Sequence, residues 1–262
     1  MTPAEVLSAD LAAAAQALRA KQEPFAFATI VRTAGATAAK PGAKALLSAD
    51  GTMLHGWLGG GCTRSAVKKA AVLALKSGVP QLISVAPEEL LAAKDVMPGD
   101  AVDGIRFARN GCPSKGTVDI FIEPCLPMPQ LIVMGASPVA QALSALAPLF
   151  HWQVATPMPS DDNRHQARFI VVATQGQGDL DALTSALSCR ATYVAFVGSA
   201  RKFAALSEKL LAKDIAATAI EKVSAPAGID LGAVTPEEIA LSILAELVQV
   251  RRSAVMDTHA NA

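Results

Sequence analysis

The sequence lacks three features that mark specialised classes of protein. It has no run of 18 or more apolar residues, which argues against a membrane-spanning helix. Its 23 basic and 23 acidic residues cancel, so no bulk charge attracts nucleic acid or an anionic membrane. The N-terminus has no basic segment followed by an apolar one, as a secretory signal would. We therefore expect a cytoplasmic protein that binds neither nucleic acid nor membranes.

Cysteine and histidine are too scattered for a disulfide framework or a structural zinc site. The four histidines show no HExxH spacing, and the cysteines show no CxxC spacing. Cys125 and Cys189 match no motif, and we expect both to be structural. Cys62 and Cys112 each follow a glycine and are considered below.

The composition favours two domains with substantial cores. Apolar residues make up 52% of the 262 residues and charged residues 18%, which argues against disorder. The proline-rich stretch from Pro124 to Pro129 is the best boundary, because it is stiff and the pattern of elements changes after it. We predict domains over residues 1–127 and 128–262.

The first half has the pattern of an α+β domain. Apolar residues at helical spacing predict an amphipathic helix over residues 3–20. Asp50-Gly51 lies between two strand-like runs and is a strong hairpin signal. We expect an antiparallel or mixed sheet with strands at 25–33, 43–48, 53–58, 81–85, 105–108 and 117–123.

The second half alternates strands and helices, which implies βαβ units and a parallel sheet. Strands are predicted at 130–134, 152–156, 168–173 and 191–197, and helices at 138–150, 182–187, 202–212 and 241–250. A capping box of Thr235 and Glu238 begins the last helix. The predicted fold class is α/β, with an α+β domain followed by a Rossmann-like domain.

The most informative motif is Gly59-Gly60-Gly61-Cys62, which precedes a predicted helix from Thr63 to about Lys76. Glycines let the backbone approach a ligand closely, and a helix N-terminus attracts phosphate. The same positive end of the helix favours a thiolate at Cys62. A tight turn with a small buried cysteine is an equally open interpretation of this motif.

Three turns in the second half fall at predicted strand ends, where α/β folds bind ligands. They contain Gly135 and Ser137, Gln175 and Gly176, and Gly198 and Ser199. The first turn stands where a GxGxxG fingerprint would, but Ser137 replaces the middle glycine. The carboxylate that would hold an adenosine ribose is also missing, since Asp161 and Asp162 come too late. NAD(P) binding is therefore not expected.

The order of the motifs is more specific than any one of them. It runs through Arg32-Thr33-Ala34-Gly35, Pro41-Gly42-Ala43-Lys44, Gly59-Gly60-Gly61-Cys62, Gly111-Cys112, Thr174-Gln175-Gly176, Gly198-Ser199-Ala200-Arg201 and Thr235-Pro236-Glu237-Glu238. In this order the chain resembles the XdhC/CoxI family of accessory proteins for molybdenum hydroxylases such as xanthine dehydrogenase and carbon monoxide dehydrogenase. The resemblance covers nearly the whole chain.

The resemblance implies a chaperone of the molybdenum cofactor, not a turnover enzyme. Such a protein binds molybdopterin, in the mono- or cytosine-dinucleotide form, supports its sulfuration and delivers it to an apo-hydroxylase. A cysteine desulfurase or a molybdopterin cytidylyltransferase is a further partner that it implies, and a homodimer is the implied assembly.

The resemblance and the loops together give a set of candidate cofactor contacts. Cys62 is expected to lie near molybdenum, as a ligand or as a stabiliser of the reduced dithiolene, since thiolates suit soft metals. The full set of expected contacts is Gly59, Gly60, Gly61, Cys62, Thr63, Arg64, Cys112, Gly135, Ser137, Gln175, Gly176, Gly198 and Ser199.

Several departures from the family pattern leave alternatives open. Thr63-Arg64 stand where longer members often have an acidic residue, and Pro113 follows Cys112 where a glycine is usual. The loop at Cys112 is therefore either a cofactor contact or a turn with an inert thiol. Two other functions compete: an NAD(P)-dependent oxidoreductase using the second half, and a scaffold that recruits partners without holding cofactor.

Overall fold

The computed structural model describes residues 3–113, 115–155 and 166–260. It divides into two compact units, one of residues 1–127 with 255–262 and the other of residues 128–254. Residues 156–165, which include Asp161 and Asp162, lie outside the described residues. No helix in the described part of the chain is long and apolar enough to cross a membrane.

The first unit is built on a mixed seven-stranded sheet. Its helices are α1 (Pro3–Ala20), α2 (Gly61–Ser77) and α3 (Glu88–Ala93). Its strands are β1 (Phe25–Ala34), β2 (Lys44–Leu47), β3 (Met53–Gly56), β4 (Gln81–Ala86), β5 (Ala101–Val102), β6 (Ile105–Arg109) and β7 (Thr117–Cys125). The strand order is β3-β2-β1-β7-β4-β6-β5, and only β4 and β6 pair in parallel.

Helix α2 packs on this sheet through small side chains. Val67, Ala70, Ala71 and Ala74 are buried against a core that includes Ile83 and other residues of the central strands. Alanine favours a helix and lets it approach the sheet closely. Gly78 ends the helix in the left-handed conformation, and its N–H donates to Ala74 O at 2.8 Å.

The second unit is a parallel four-stranded sheet with the order β11-β10-β8-β9. Its strands are β8 (Gln130–Met134), β9 (Gln153–Ala155), β10 (Arg168–Val172) and β11 (Tyr193–Phe196). Its helices are α4 (Pro138–Leu146), α5 (Asp179–Leu187), α6 (Ala200–Leu211), α7 (Ala217–Ile220) and α8 (Pro236–Ala260).

Helices cover both faces of the parallel sheet, as in other doubly wound folds. Phe169 on β10 faces a core that includes Leu143 of α4 and Leu244 of α8. The next residue, Ile170, faces the opposite core with Leu183 of α5 and other buried side chains. This alternation along one strand explains why β10 reads as a continuous apolar run.

The structure confirms the predicted fold class and most of the elements. Helix α4 stops at Leu146 and continues as a 3₁₀ turn over Ala147–Phe150, so the predicted helix over 138–150 was too long. The sequence reasoning missed α3, α7 and the two-residue strand β5, which are all short. The capping box is present: Thr235 and Val234 N–H groups donate to Glu238 Oε2, and Glu238 N–H donates to Thr235 Oγ1.

Candidate functional site

The glycine loop leaves the N-terminus of α2 open. Only Gly59 needs the left-handed region, with φ +126°, whereas Gly60 is an extended N-cap with φ −75°. A Cβ placed on Gly60 or Gly61 would meet nothing within 4 Å. Neither packing nor backbone conformation therefore requires glycine at these two positions. No side chain in the described parts of the chain caps this end of the helix, and its first N–H groups have no intrahelical partner.

Cys62, in the first turn of α2, is exposed. Its sulfur lies close to the second glycine–cysteine loop, because a Cβ on Gly111 would be 3.7 Å from Cys62 Sγ. The open interpretation of Cys62 as a buried packing residue is therefore wrong. Thr63 points the other way: it is buried, and its Oγ1 would be 3.2 Å from a Cβ on Gly59.

Asn110 holds the second glycine–cysteine loop in shape. Its side-chain NH₂ donates to Gly116 O at 2.6 Å, and its side-chain oxygen accepts from the Cys112 N–H at 3.0 Å. Its own backbone N–H donates to Ala86 O at 2.7 Å, at the end of β4. Both ends of the loop are thus tied through one residue to the sheet, which fixes Gly111 beside Cys62.

A cavity of about 670 Å³ lies beneath these two loops, entirely within the first unit. Helix α2 lines one side through Gly61, Cys62, Ser65, Lys69 and Leu73, at the spacing of one helix face. Strand β6 and the residues after it line another side. Neither Thr63, Arg64 nor Cys112 is among the described residues that line it.

The cavity is strongly cationic although the chain has no net charge. Lys69, Arg106 and Arg109 line it, and the described lining contains no carboxylate. Arg106 Nη1 donates to Gly99 O at 3.0 Å, but its Nε is shielded from solvent and has no hydrogen-bond partner in the described parts of the chain. A buried donor without an acceptor costs about 1–3 kcal/mol. Arg109 pairs with Glu88 at 3.4 Å in an exposed position.

Sequence reasoning missed these three cations. Lys69 follows Cys62 by two helical turns, so the helical period could have placed both on one face. Arg106 and Arg109 belong to no short motif, and only the pairing of β6 with β4 brings them under α2. The role of Asn110 could not be predicted either, because it depends on hydrogen bonds to Cys112 and Gly116 in the folded loop.

The predicted turns of the second unit fall at the carboxyl ends of the parallel strands. Ser137, Gln175 and Val197 line a cavity of about 300 Å³ there. The Ser137 hydroxyl already accepts the Ala140 N–H at 3.2 Å and caps α4. Gly135 is required for packing, because a Cβ there would be 2.5 Å from Ala173 O.

Of the remaining predicted residues of this unit, Gly198 and Ser199 have structural roles. A Cβ on Gly198 would be 2.4 Å from the Phe196 ring, and the Ser199 hydroxyl accepts from Lys202 N–H at 3.2 Å to cap α6. Gly176 lines a separate cavity of about 390 Å³ that also contains Asp179 and Lys202.

Asp179 is a buried carboxylate held by Lys202. Lys202 Nζ lies 2.6 Å from Asp179 Oδ2, while the Thr174 hydroxyl and the Gly176 N–H donate to Oδ1. Burial raises the pKa of Asp179, but the hydrogen bonds from Lys202, Thr174 and Gly176 outweigh it and hold the pKa below its usual value. This cluster fixes the turn between β10 and α5.

The predicted contacts therefore separate into groups with different surroundings. Gly61 and Cys62 meet Gly111 at one cavity, and Ser137 meets Gln175 at another. Among residues with described side chains, no group of three or more His, Cys, Asp or Glu is placed to hold a metal ion. A metal at Cys62 would thus receive most of its ligands from something other than this unit's side chains.

In the comparison with known proteins, a different family model matches each of the two units. A model of the XdhC and CoxI family matches residues 18–86, and a model of the XdhC Rossmann domain matches residues 131–247. The chain belongs to the XdhC and CoxI family. The first of these matches ends at β4 and contains the glycine loop and Cys62; Gly111 and the two arginines lie beyond it.

The chain is also similar to individual proteins. The uncharacterized protein YqeB of Escherichia coli (strain K12) is 28% identical, and the alignment covers 88% of this chain and 44% of YqeB. The chain thus spans less than half the length of that relative. A crystal structure described as a xanthine dehydrogenase from Bacillus halodurans is 19% identical, with coverage of 97% and 96% and a TM-score of 0.39.

Proposed function

We propose that this protein binds the molybdenum cofactor in the cavity of the first unit and delivers it to an apo-hydroxylase of the xanthine dehydrogenase or carbon monoxide dehydrogenase type. It acts as an accessory protein and not as a turnover enzyme. The observation that carries the proposal is the cavity itself, which joins an exposed thiol, an open helix N-terminus and three cations. Family membership supports the same function.

The residues of the cavity fit the parts of a molybdopterin. The thiol of Cys62 is a soft donor, suited to a soft metal–sulfur centre. Ala70, Leu73, Ile83 and Phe107 offer an apolar wall to a flat ring system. The cations and the open amides suit phosphate. When bound, the cofactor supplies the oxo and sulfido chemistry of molybdenum that the client hydroxylase uses.

The protein's own contribution is to hold and protect the cofactor. Cys62 would hold the metal–dithiolene end, and the absence of a side chain at Gly61, which lines the cavity, would let that end approach the backbone. Gly111 lines the same cavity beside the sulfur. Since Asn110 fixes that loop, Gly111 meets the ligand in a preformed position.

Anaerobic gel filtration with molybdopterin cofactor tests the proposal. The wild-type protein should elute with cofactor, and Cys62→Ala should retain at least about 10-fold less. Cys189→Ala is the matched control, because it removes a thiol from the second unit. If the wild-type protein elutes without cofactor, the proposed function is wrong.

A transfer assay separates delivery from simple storage. Loaded protein should activate an apo-hydroxylase faster than the same amount of free cofactor. Capture of the hydroxylase without any bound pterin would instead favour the recruiting scaffold. Saturable NADH binding at micromolar concentration would favour the oxidoreductase, and the use of the Ser137 hydroxyl as a helix cap argues against that outcome.

A further inference from the structure

The cavity of the first unit has two chemically different ends. At one end Gly111 lies beside Cys62, since a Cβ on Gly111 would be 3.7 Å from the Cys62 sulfur. Lys69 follows Cys62 by seven residues on the same helix face, which places it about 10 Å along the α2 axis from the sulfur. Arg106 lies three residues before the end of β6, which displaces it about 10 Å from that strand end. Lys69 on the helix and Arg106 on the strand are thus displaced from the sulfur end of the cavity by similar distances.

The cations that line the cavity are available to a ligand. Lys69 is exposed and has no ion-pair partner among the described residues. Arg106 has one guanidinium bond, to Gly99 O, and a buried Nε that no acceptor satisfies within the described chain. Among the described residues Arg109, at the end of β6, pairs with the exposed Glu88, and exposed pairs are weak enough to be displaced.

A cleft lined by charges of one sign concentrates ions of the other sign. Arginine and lysine together form the usual donor set for phosphate oxygens, since arginine supplies a planar fork and lysine a point charge. Between them the wall is apolar and too long for a phosphate ion alone. The geometry therefore suits an elongated ligand with a phosphate at one end.

We infer that the cavity binds its ligand in one direction, with a phosphate ester between Lys69 and Arg106 and the sulfur-seeking end at Cys62. The inference rests on the proposed function for the identity of the sulfur-seeking end only. The phosphate site depends solely on the cations, so it can be tested with inorganic pyrophosphate and the full-length protein.

Isothermal titration with pyrophosphate at low salt is the first measurement. We expect saturable binding that weakens at least about 10-fold in Arg106→Gln and in Lys69→Gln. Lys76→Gln is the matched control, because Lys76 is an exposed lysine of the same helix outside the described cavity lining. No binding by the wild type, or equal loss in the control, would overturn the inference.

The second measurement compares molybdopterin with its dephosphorylated form. Lys69→Gln should lower the retention of the phosphorylated form and leave that of the dephosphorylated form unchanged. Equal retention of both forms by the wild type contradicts the phosphate site while leaving the proposed function intact. Pyrophosphate binding without retention of either pterin contradicts the proposed function and leaves the phosphate site.

Discussion

Cys62 and Gly111 are neighbours in space: a side chain at Gly111 would begin 3.7 Å from the Cys62 sulfur. At this distance an added methyl group would make an ordinary van der Waals contact with the sulfur. Gly111 is therefore a place from which the surroundings of the sulfur can be changed without altering the thiol itself.

Gly111→Ala should slow the reaction of Cys62 without unfolding the protein. The new methyl group fits at contact distance, so the melting temperature should change little, but it covers part of the sulfur. We expect alkylation of Cys62 by iodoacetamide to slow severalfold, as measured by mass spectrometry of the peptide. Alkylation of Cys112 serves as the internal reference. An unchanged Cys62 rate would contradict the contact.

Gly61→Ala and Gly135→Ala should differ in their effects on the stability of the protein. Alanine at position 61 meets nothing and begins a helix, so stability should stay equal or rise by up to about 1 kcal/mol. Gly135 has φ +113° and no room for a Cβ, so its alanine variant should lose about 1–3 kcal/mol.

Urea unfolding measures the stability of both variants, and gel filtration with cofactor measures how much cofactor Gly61→Ala retains. We expect Gly61→Ala to retain less cofactor, because its methyl group occupies the approach to the amides of α2. A stable Gly61→Ala protein with full retention would show that the cofactor does not use this surface.

The cysteines should differ in their reactivity in the folded protein. Cys62 and Cys112 are exposed, whereas Cys125 is half-buried and burial raises its pKa, an effect that a hydrogen bond from Arg19 only partly offsets. Because the thiolate is the reactive form, Cys125 should react at least about 10-fold more slowly than Cys62 at pH 7.5. Its rate should keep rising with pH above 9. Fast labelling of Cys125 at neutral pH would contradict its placement.

Asp179→Asn should destabilise the protein in a pH-dependent way. The folded pKa of Asp179 lies below the unfolded value of 3.8, so its contribution to stability is present above that value and is lost as the pH falls through the folded pKa. At pH 7 we expect a loss of about 1–3 kcal/mol, because Lys202 loses its charged partner. Chemical unfolding of both proteins from pH 7 down to pH 3 should show this difference shrinking below pH 4.

The sequence predicted what depends on local pattern. The hairpin at Asp50-Gly51, the helix that follows the glycine loop and the capping box at Thr235 each need only a few neighbouring residues, and all three are present. The helix begins at Gly61, two residues before the predicted start at Thr63. The short elements α3 and β5 have too few residues to show a period, so they were missed.

The sequence predicted the site less completely, because the site depends on pairing over long distances. Cys62 stands out through its glycines, but Arg106 reaches the same cavity only because β6 pairs in parallel with β4. Conversely, Gly135 and Gly198 looked like ligand contacts, but neighbouring atoms leave no space for a side chain at either position. The backbone after β10 fills the space at Gly135, and the ring of Phe196, two residues earlier in the chain, fills it at Gly198. A glycine that packing requires and a glycine that leaves room for a ligand cannot be told apart in the sequence.

The positions of Cys62 and Gly111 in the sequence also have a consequence for the newly made chain. The ribosome adds Gly111 about 50 residues after Cys62, so at ordinary rates of synthesis the thiol emerges roughly 2–10 s before the second glycine–cysteine loop. Because Cys62 is exposed in the folded protein as well, oxidants and stray metal ions can reach this sulfur from synthesis onward.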